Sequence, residues 1–112
     1  PDGDPMPDIA RALKSRKANR IFCATTFGLF TDGLEHFNQA YEQGLITKVV
    51  ATNLIDRRPE LLAAPWFQDV NMAKFTALLI DAINHDASLS KLVDPTEKIR
   101  TLLDTVPYCD IP

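Results

Sequence analysis

The spacing of apolar positions changes several times along this chain, and the changes predict alternating helices and strands. Pro7 and Asp8 suit a first helical turn, because proline has no N–H to lose there. Ile9, Ala10, Ala12 and Leu13 supply that helix with an apolar face, which fades at Ala18–Asn19. The run from Ile21 to Thr26, IFCATT, is continuously apolar and then hydroxylated. Unbroken apolarity suits a strand buried on both faces, as in a parallel sheet. Phe27-Gly28-Leu29-Phe30 connects it to a second helix, with Thr31 as N-cap and Asp32 and Glu35 in the first turn. Leu34, Phe37, Ala40 and Tyr41 keep helical spacing, and Gly44 stops it.

The second strand is Lys48-Val49-Val50-Ala51-Thr52, again unbroken. From Asn53 to Pro65 the chain is polar and carries two prolines, which reads as a long surface loop. Phe67 to Val70 is a short third strand. Met72, Phe75, Leu79 and Ile83, with Thr76 and Ile80 between, mark the best-defined helix, ending near His85-Asp86. Ser88 to Leu92 is a brief turn or helical segment. Asp94 then caps a last helix, with Pro95 at its first position and Glu97 three residues after the cap. Alternating helices and strands indicate an α/β layered fold with a parallel sheet, and so thin a sheet is expected to continue in residues not present here.

The 112 residues allow one small domain, and 46% hydrophobic content is enough for a core. A net charge of −3 argues against a nucleic-acid-binding surface. The cationic group Arg11, Lys14, Arg16, Lys17 and Arg20 falls at a helix end, where it favours the dipole and solubility. No apolar run approaches the ~20 residues of a membrane span. Cys23 and Cys109 lie far apart and form no disulfide framework, so a cytoplasmic chain with free thiols is expected.

Candidate chemistry is sparse. Asp2 and Asp4 are spaced as in a calcium loop, but the glycine and closing glutamate of that loop are missing. The same stretch, PDGDPMPD, reads either as a plain helix start or as a turn whose free amides could hold an anion. His36 and His85 read as surface or helix-end residues and Cys23 as core filling. No metal ligand set and no catalytic triad assemble. The loop Thr25–Thr31 leaves the carboxyl end of a central strand, the edge where open α/β sheets bind ligands, and Asn53 and Asp56 follow the next strand on that edge.

The strings RIFCATTFGLFTDGLEHF, KVVATNLI and FTALLIDAINHDASLSKL, in that order, resemble the C-terminal half of ribose-phosphate pyrophosphokinases, the PRPP synthetases. That family carries a THG-LFS-like loop, a VVTNT-like strand and a helix running into a GESVSxLF-like segment. The similarity runs from Gly3 to about Val93. It implies a type I phosphoribosyltransferase-like (Rossmann-like) half-domain spanning residues 1–112, with 94–112 a helical extension. The parent enzyme would transfer diphosphate from Mg-ATP to ribose 5-phosphate, making PRPP for nucleotide biosynthesis.

The resemblance aligns the family's ribose-5-phosphate loop with Asp2, Gly3 and Asp4, and the following helix with Met6 onward. Ser88, Ser90 and Lys91 match a segment that lines a regulatory nucleotide or phosphate site. Mg2+, ATP or ADP, the N-terminal half of the enzyme and further copies in an oligomer are the implied cofactor and partners. The ATP and magnesium residues belong to the half not present, so the chain by itself is expected to be inactive and carries no catalytic residue. Departures are specific. The paired acids before the loop are absent, Asp2 and Pro5 replace hydroxyl residues, and Thr25-Thr26-Phe27-Gly28 has no histidine. A carboxylate repels phosphate and proline removes an amide donor. Two other readings follow: a non-catalytic homologue that regulates true synthetases, and a phosphoribosyltransferase that consumes PRPP.

Overall fold

The structure, a computed structural model, describes residues 6–106. It divides into two compact units, Pro1–Met72 and Ala73–Pro112. The first contains α1 (Met6–Ser15), β1 (Phe22–Thr25), α2 (Glu35–Glu42), β2 (Lys48–Thr52), α3 (Pro59–Ala63) and β3 (Phe67–Val70). The three strands are parallel and lie in chain order, β1-β2-β3.

That order decides where the core sits. Both crossovers step the same way across the sheet, and right-handed crossovers then put α2 and α3 on one face. α1 lies against α2. In register, Cys23, Val49 and Phe67 meet on the covered face, followed by Thr25, Ala51 and Asp69. Ala10, Ala40, Leu61 and Trp66 complete the core from the helices and the chain entering β3.

Within the first unit the opposite face has no covering layer among the described residues, which corrects the expectation of strands buried on both sides. Phe22 is 57% exposed there and Val70 37%, with Ala24 and Gln68 also exposed. The Arg20 guanidinium stands 5.8 Å from the Phe22 ring centre and covers part of it. Apolar continuity along a strand therefore did not imply two covering layers.

Three local differences have simple causes. In α1 only Ala10 of the expected face is buried; Ile9, Ala12 and Leu13 are exposed, and the less exposed positions include Met6, Ala10 and Lys14 at four-residue spacing. α2 begins at Glu35 rather than after Thr31, because Gly33 (φ 84°) donates to the Phe30 carbonyl at 3.1 Å and closes a turn first. The expected loop Asn53–Pro65 contains α3, where Pro59 sits at a helix start, a position that suits it, and Leu61 is buried. At the end of α2, Gly44 (φ 71°) makes the expected stop. Leu45 N–H bonds Ala40 O at 2.9 Å and Gly44 N–H bonds Tyr41 O at 3.0 Å, the two bonds of a Schellman cap.

The second unit contains α4 (Ala73–Asn84), α5 (Ser90–Val93) and α6 (Thr96–Thr105), none with a buried residue. Among the described residues no helix is long and apolar enough to cross a membrane. α6 starts one residue later than its spacing predicts, with Pro95 rather than Asp94 at the N-cap; Asp94, just before it, accepts at Oδ1 from Thr96 N–H at 3.0 Å and Thr96 Oγ1 at 2.6 Å. Thr96's hydroxyl, and then its backbone N–H, hold the Asp94 carboxyl below its ordinary 3.8. A lowered folded-state pKa stabilises above the unfolded value, and the contribution disappears as pH falls through the folded value. The Asp94–Thr96 contact at the start of α6 should therefore weaken as pH falls through that lowered value. An NMR titration of Asp94 should show the lowered midpoint, and Thr96→Val should raise it; an unchanged midpoint in that variant would remove Thr96 as the cause.

Candidate functional site

The helical layer does not reach the carboxyl end of β1. α2 starts only at Glu35, so residues 26–34 run as loop and turn beside that edge. Thr25 shares the covered face with Cys23 yet is exposed. The space left is a cavity of about 350 Å³. Met6, Phe27, Leu29, Phe30, Phe37 and Val49 give it apolar walls. Thr25, Thr31, Asp32 and His36 add polar groups, and no lysine or arginine is among the described residues that line it.

The loop is fixed by contacts from three directions. Phe30 sits at φ 47°, a left-handed conformation that a bulky side chain rarely adopts and that costs about 1–3 kcal/mol. Its carbonyl accepts from Gly33 N–H at 3.1 Å and from Arg58 Nη2 at 2.8 Å. Its ring meets Phe37 edge-on at 5.1 Å between centroids, Trp66 at 5.8 Å and Phe67 at 6.2 Å. Trp66 also stacks on Phe37 at 5.3 Å and donates Nε1–H to Asn38 Oδ1 at 2.7 Å. Thr52 Oγ1 donates to the Thr26 carbonyl at 2.5 Å and ties the loop to β2.

Gly28 belongs to the same construction. A Cβ there would stand 2.6 Å from Phe30 Cε2 and 3.1 Å from Ala51 Cβ, so the ring packs where a side chain would otherwise be. Beneath the loop, Cys23 Sγ approaches Met6 Sδ at 2.9 Å and joins β1 to the start of α1. Both residues also line the cavity.

The neighbouring strand ends are engaged with one another. Asn53 Nδ2 donates to Asn71 Oδ1 at 3.1 Å, while Asn53 Oδ1 accepts from Met72 N–H at 2.8 Å. The Arg57 guanidinium pairs with Asp69 Oδ2. Asp69 Oδ1 is buried and has no hydrogen-bond partner among the described residues. Asp56 is exposed. Side chains that could have faced a ligand beyond β2 and β3 thus hold the edge together, although a second, more open space of about 320 Å³ lies against Thr25, Thr52 and Val70 at the ends of the three strands.

Several candidate residues can be placed on this frame. Met6 begins α1 and lines the cavity; Asp2, Gly3 and Asp4 lie outside the described residues. Ser88, Ser90 and Lys91 belong to the second unit, where Ser88 Oγ donates to Ser90 Oγ at 3.1 Å and accepts from Ser90 N–H at 3.3 Å, which starts α5. His85 ends α4, its Nδ1 2.8 Å from the Asp81 carbonyl. His36 is exposed, at the rim of the cavity. The aromatic group around Trp66 was missed in the sequence; a lone tryptophan directly before a strand was its one signal. Among the described residues no three His, Cys, Asp or Glu side chains converge as potential metal ligands. In comparisons with known proteins, no family model and no curated sequence matches this chain.

Proposed function

We propose that this chain is the C-terminal part of a ribose-phosphate diphosphokinase, with a type I phosphoribosyltransferase-like half-domain, and that it contributes to holding ribose 5-phosphate. One observation carries the reading. Met6, at the start of the helix that would follow the sugar-phosphate loop, lines the same cavity as the loop after β1 that resembles the family's THG-LFS segment. Two separate stretches of the resemblance thereby meet in space. A parallel sheet with its loops at the carboxyl edge supports the same reading. A helix N-terminus is the kind of place where backbone amides and the helix dipole favour a phosphate.

In this reading the diphosphate donor, Mg-ATP, and its ligands belong to the other half of the enzyme, and further copies complete the assembly. Ser88, Ser90 and Lys91 would then serve a regulatory anion site. Asp2 and Pro5 favour a second reading, a non-catalytic homologue that binds true synthetases, because both weaken a phosphate loop.

Calorimetric titration of the chain with ribose 5-phosphate and, separately, with inorganic phosphate separates the two. The first reading expects saturable heat with ribose 5-phosphate and much weaker binding of phosphate alone. No heat with either would overturn it and leave the non-catalytic homologue.

A further inference from the structure

The cavity beyond β1 has a chemistry of its own, which does not rest on the ribose-phosphate reading. Its volume, about 350 Å³, lies at the lower end of the roughly 300–1,000 Å³ of small-molecule sites. That is room for one ring system rather than an extended ligand. Phe27, Leu29, Phe30 and Phe37 offer it aromatic and aliphatic surface.

Two of these side chains already face water. Phe27 is 53% exposed and Leu29 66% exposed, side by side in a loop whose backbone is otherwise pinned. An apolar guest would cover them and remove their surface from water, which favours binding. The strained Phe30 lies in the same wall. Strain of this kind gathers at ligand clamps, and here Arg58 and the surrounding rings maintain it.

Charge selects among apolar guests. Asp32 is the one carboxylate among the described lining residues, and neither lysine nor arginine lines the space. Arg58, the cation bonded to this loop, spends its guanidinium on the Phe30 carbonyl. Thr25, Thr31 and His36 supply hydroxyl and imidazole groups for hydrogen bonding.

We propose that this cavity is a binding site for a small planar aromatic compound that is uncharged or cationic, its ring against Phe27, Phe30 and Phe37 and its donor group toward Asp32. A phosphate or carboxylate is disfavoured inside it. A sugar phosphate seated at the start of α1 would therefore be a second ligand beside it, not its occupant.

Benzamidine, benzyl alcohol and benzoate share a ring and differ in charge, which makes them suitable probes of the full 112-residue chain. Binding can be read from amide NMR shifts during titration. Benzamidine and benzyl alcohol should bind saturably, with shifts concentrated between Thr25 and Phe37. Benzoate should bind at least about tenfold more weakly than benzamidine, the scale set by one partly screened charge pair. Asp32→Asn should shrink the benzamidine-to-benzoate ratio severalfold. Phe27→Ala, at an exposed site where folding is not at stake, should weaken both neutral and cationic probes. Equal or tighter binding of benzoate, saturable shifts outside this segment, or no saturable binding of any probe would each overturn the proposal.

Discussion

Trp66→Ala should remove about 3–5 kcal/mol of stability from the first unit, the largest single-residue effect expected in this protein. Trp66 is the one large side chain completely shut off from solvent among the described residues. Three phenylalanine rings surround it, Phe37 stacked at 5.3 Å, Phe30 at 5.8 Å and Phe67 at 6.2 Å. Truncation forfeits its transfer energy, opens a cavity between elements, and strands the Asn38 carbonyl that accepts its Nε1–H. Trp66→Phe keeps most of the volume and loses only the hydrogen bond and the second ring, so it should cost clearly less. Urea denaturation followed by circular dichroism would measure both. A loss below 1 kcal/mol for the alanine variant would mean that the aromatic group does not organise the core.

Gly28→Ala is the second large effect, and its cause lies in space rather than in backbone freedom. The new methyl would stand 2.6 Å from Phe30 Cε2 and 3.1 Å from Ala51 Cβ. Neither neighbour can withdraw easily. Ala51 is buried in the central strand, and the Phe30 ring is wedged against Phe37, Trp66 and Phe67 on a backbone already at φ 47°. Overpacking of this kind costs about 1–3 kcal/mol, and the displaced ring would also alter the cavity wall. Leu29→Ala, one residue away and 66% exposed, provides the control and should stay within about 0.5 kcal/mol of the parent. Equal stabilities for the two variants would show that Phe30 moves freely, contrary to its packing.

Some of this architecture is legible in the sequence because the signals are local. Lys48–Thr52 is a strand at its expected bounds, Phe67–Val70 is the short third strand, and Gly44 stops its helix. Each depends on side chains within a few positions. Where two local signals compete, the pattern misleads: Thr31 has the chemistry of a cap, but the turn closed by Gly33 onto Phe30 postpones the helix to Glu35. Pro59 has the look of a breaker and instead starts a helix.

The facing of elements is harder to read. Ile9 and Leu13 look like a core stripe, yet α1 turns Met6 and Ala10 inward, because what lies beneath it is β1 with Cys23. One uncovered sheet face within the first unit likewise follows from strand order, which no single strand encodes. The candidate site divides along the same line. The loop Thr25–Thr31 was identifiable from its place after a strand, whereas its walls come from Met6, Phe37 and Val49 on three other elements and exist only once the sheet has formed.

The position of Trp66 has an optical consequence. It is the chain's single tryptophan, so indole emission comes entirely from the first unit, and the helices after Met72 contribute none of it. Its stacking partner Phe37 is also a wall of the cavity. The indole is therefore one ring removed from any guest there, a built-in lamp whose colour follows the wetting of the core and whose brightness can respond to occupancy next door.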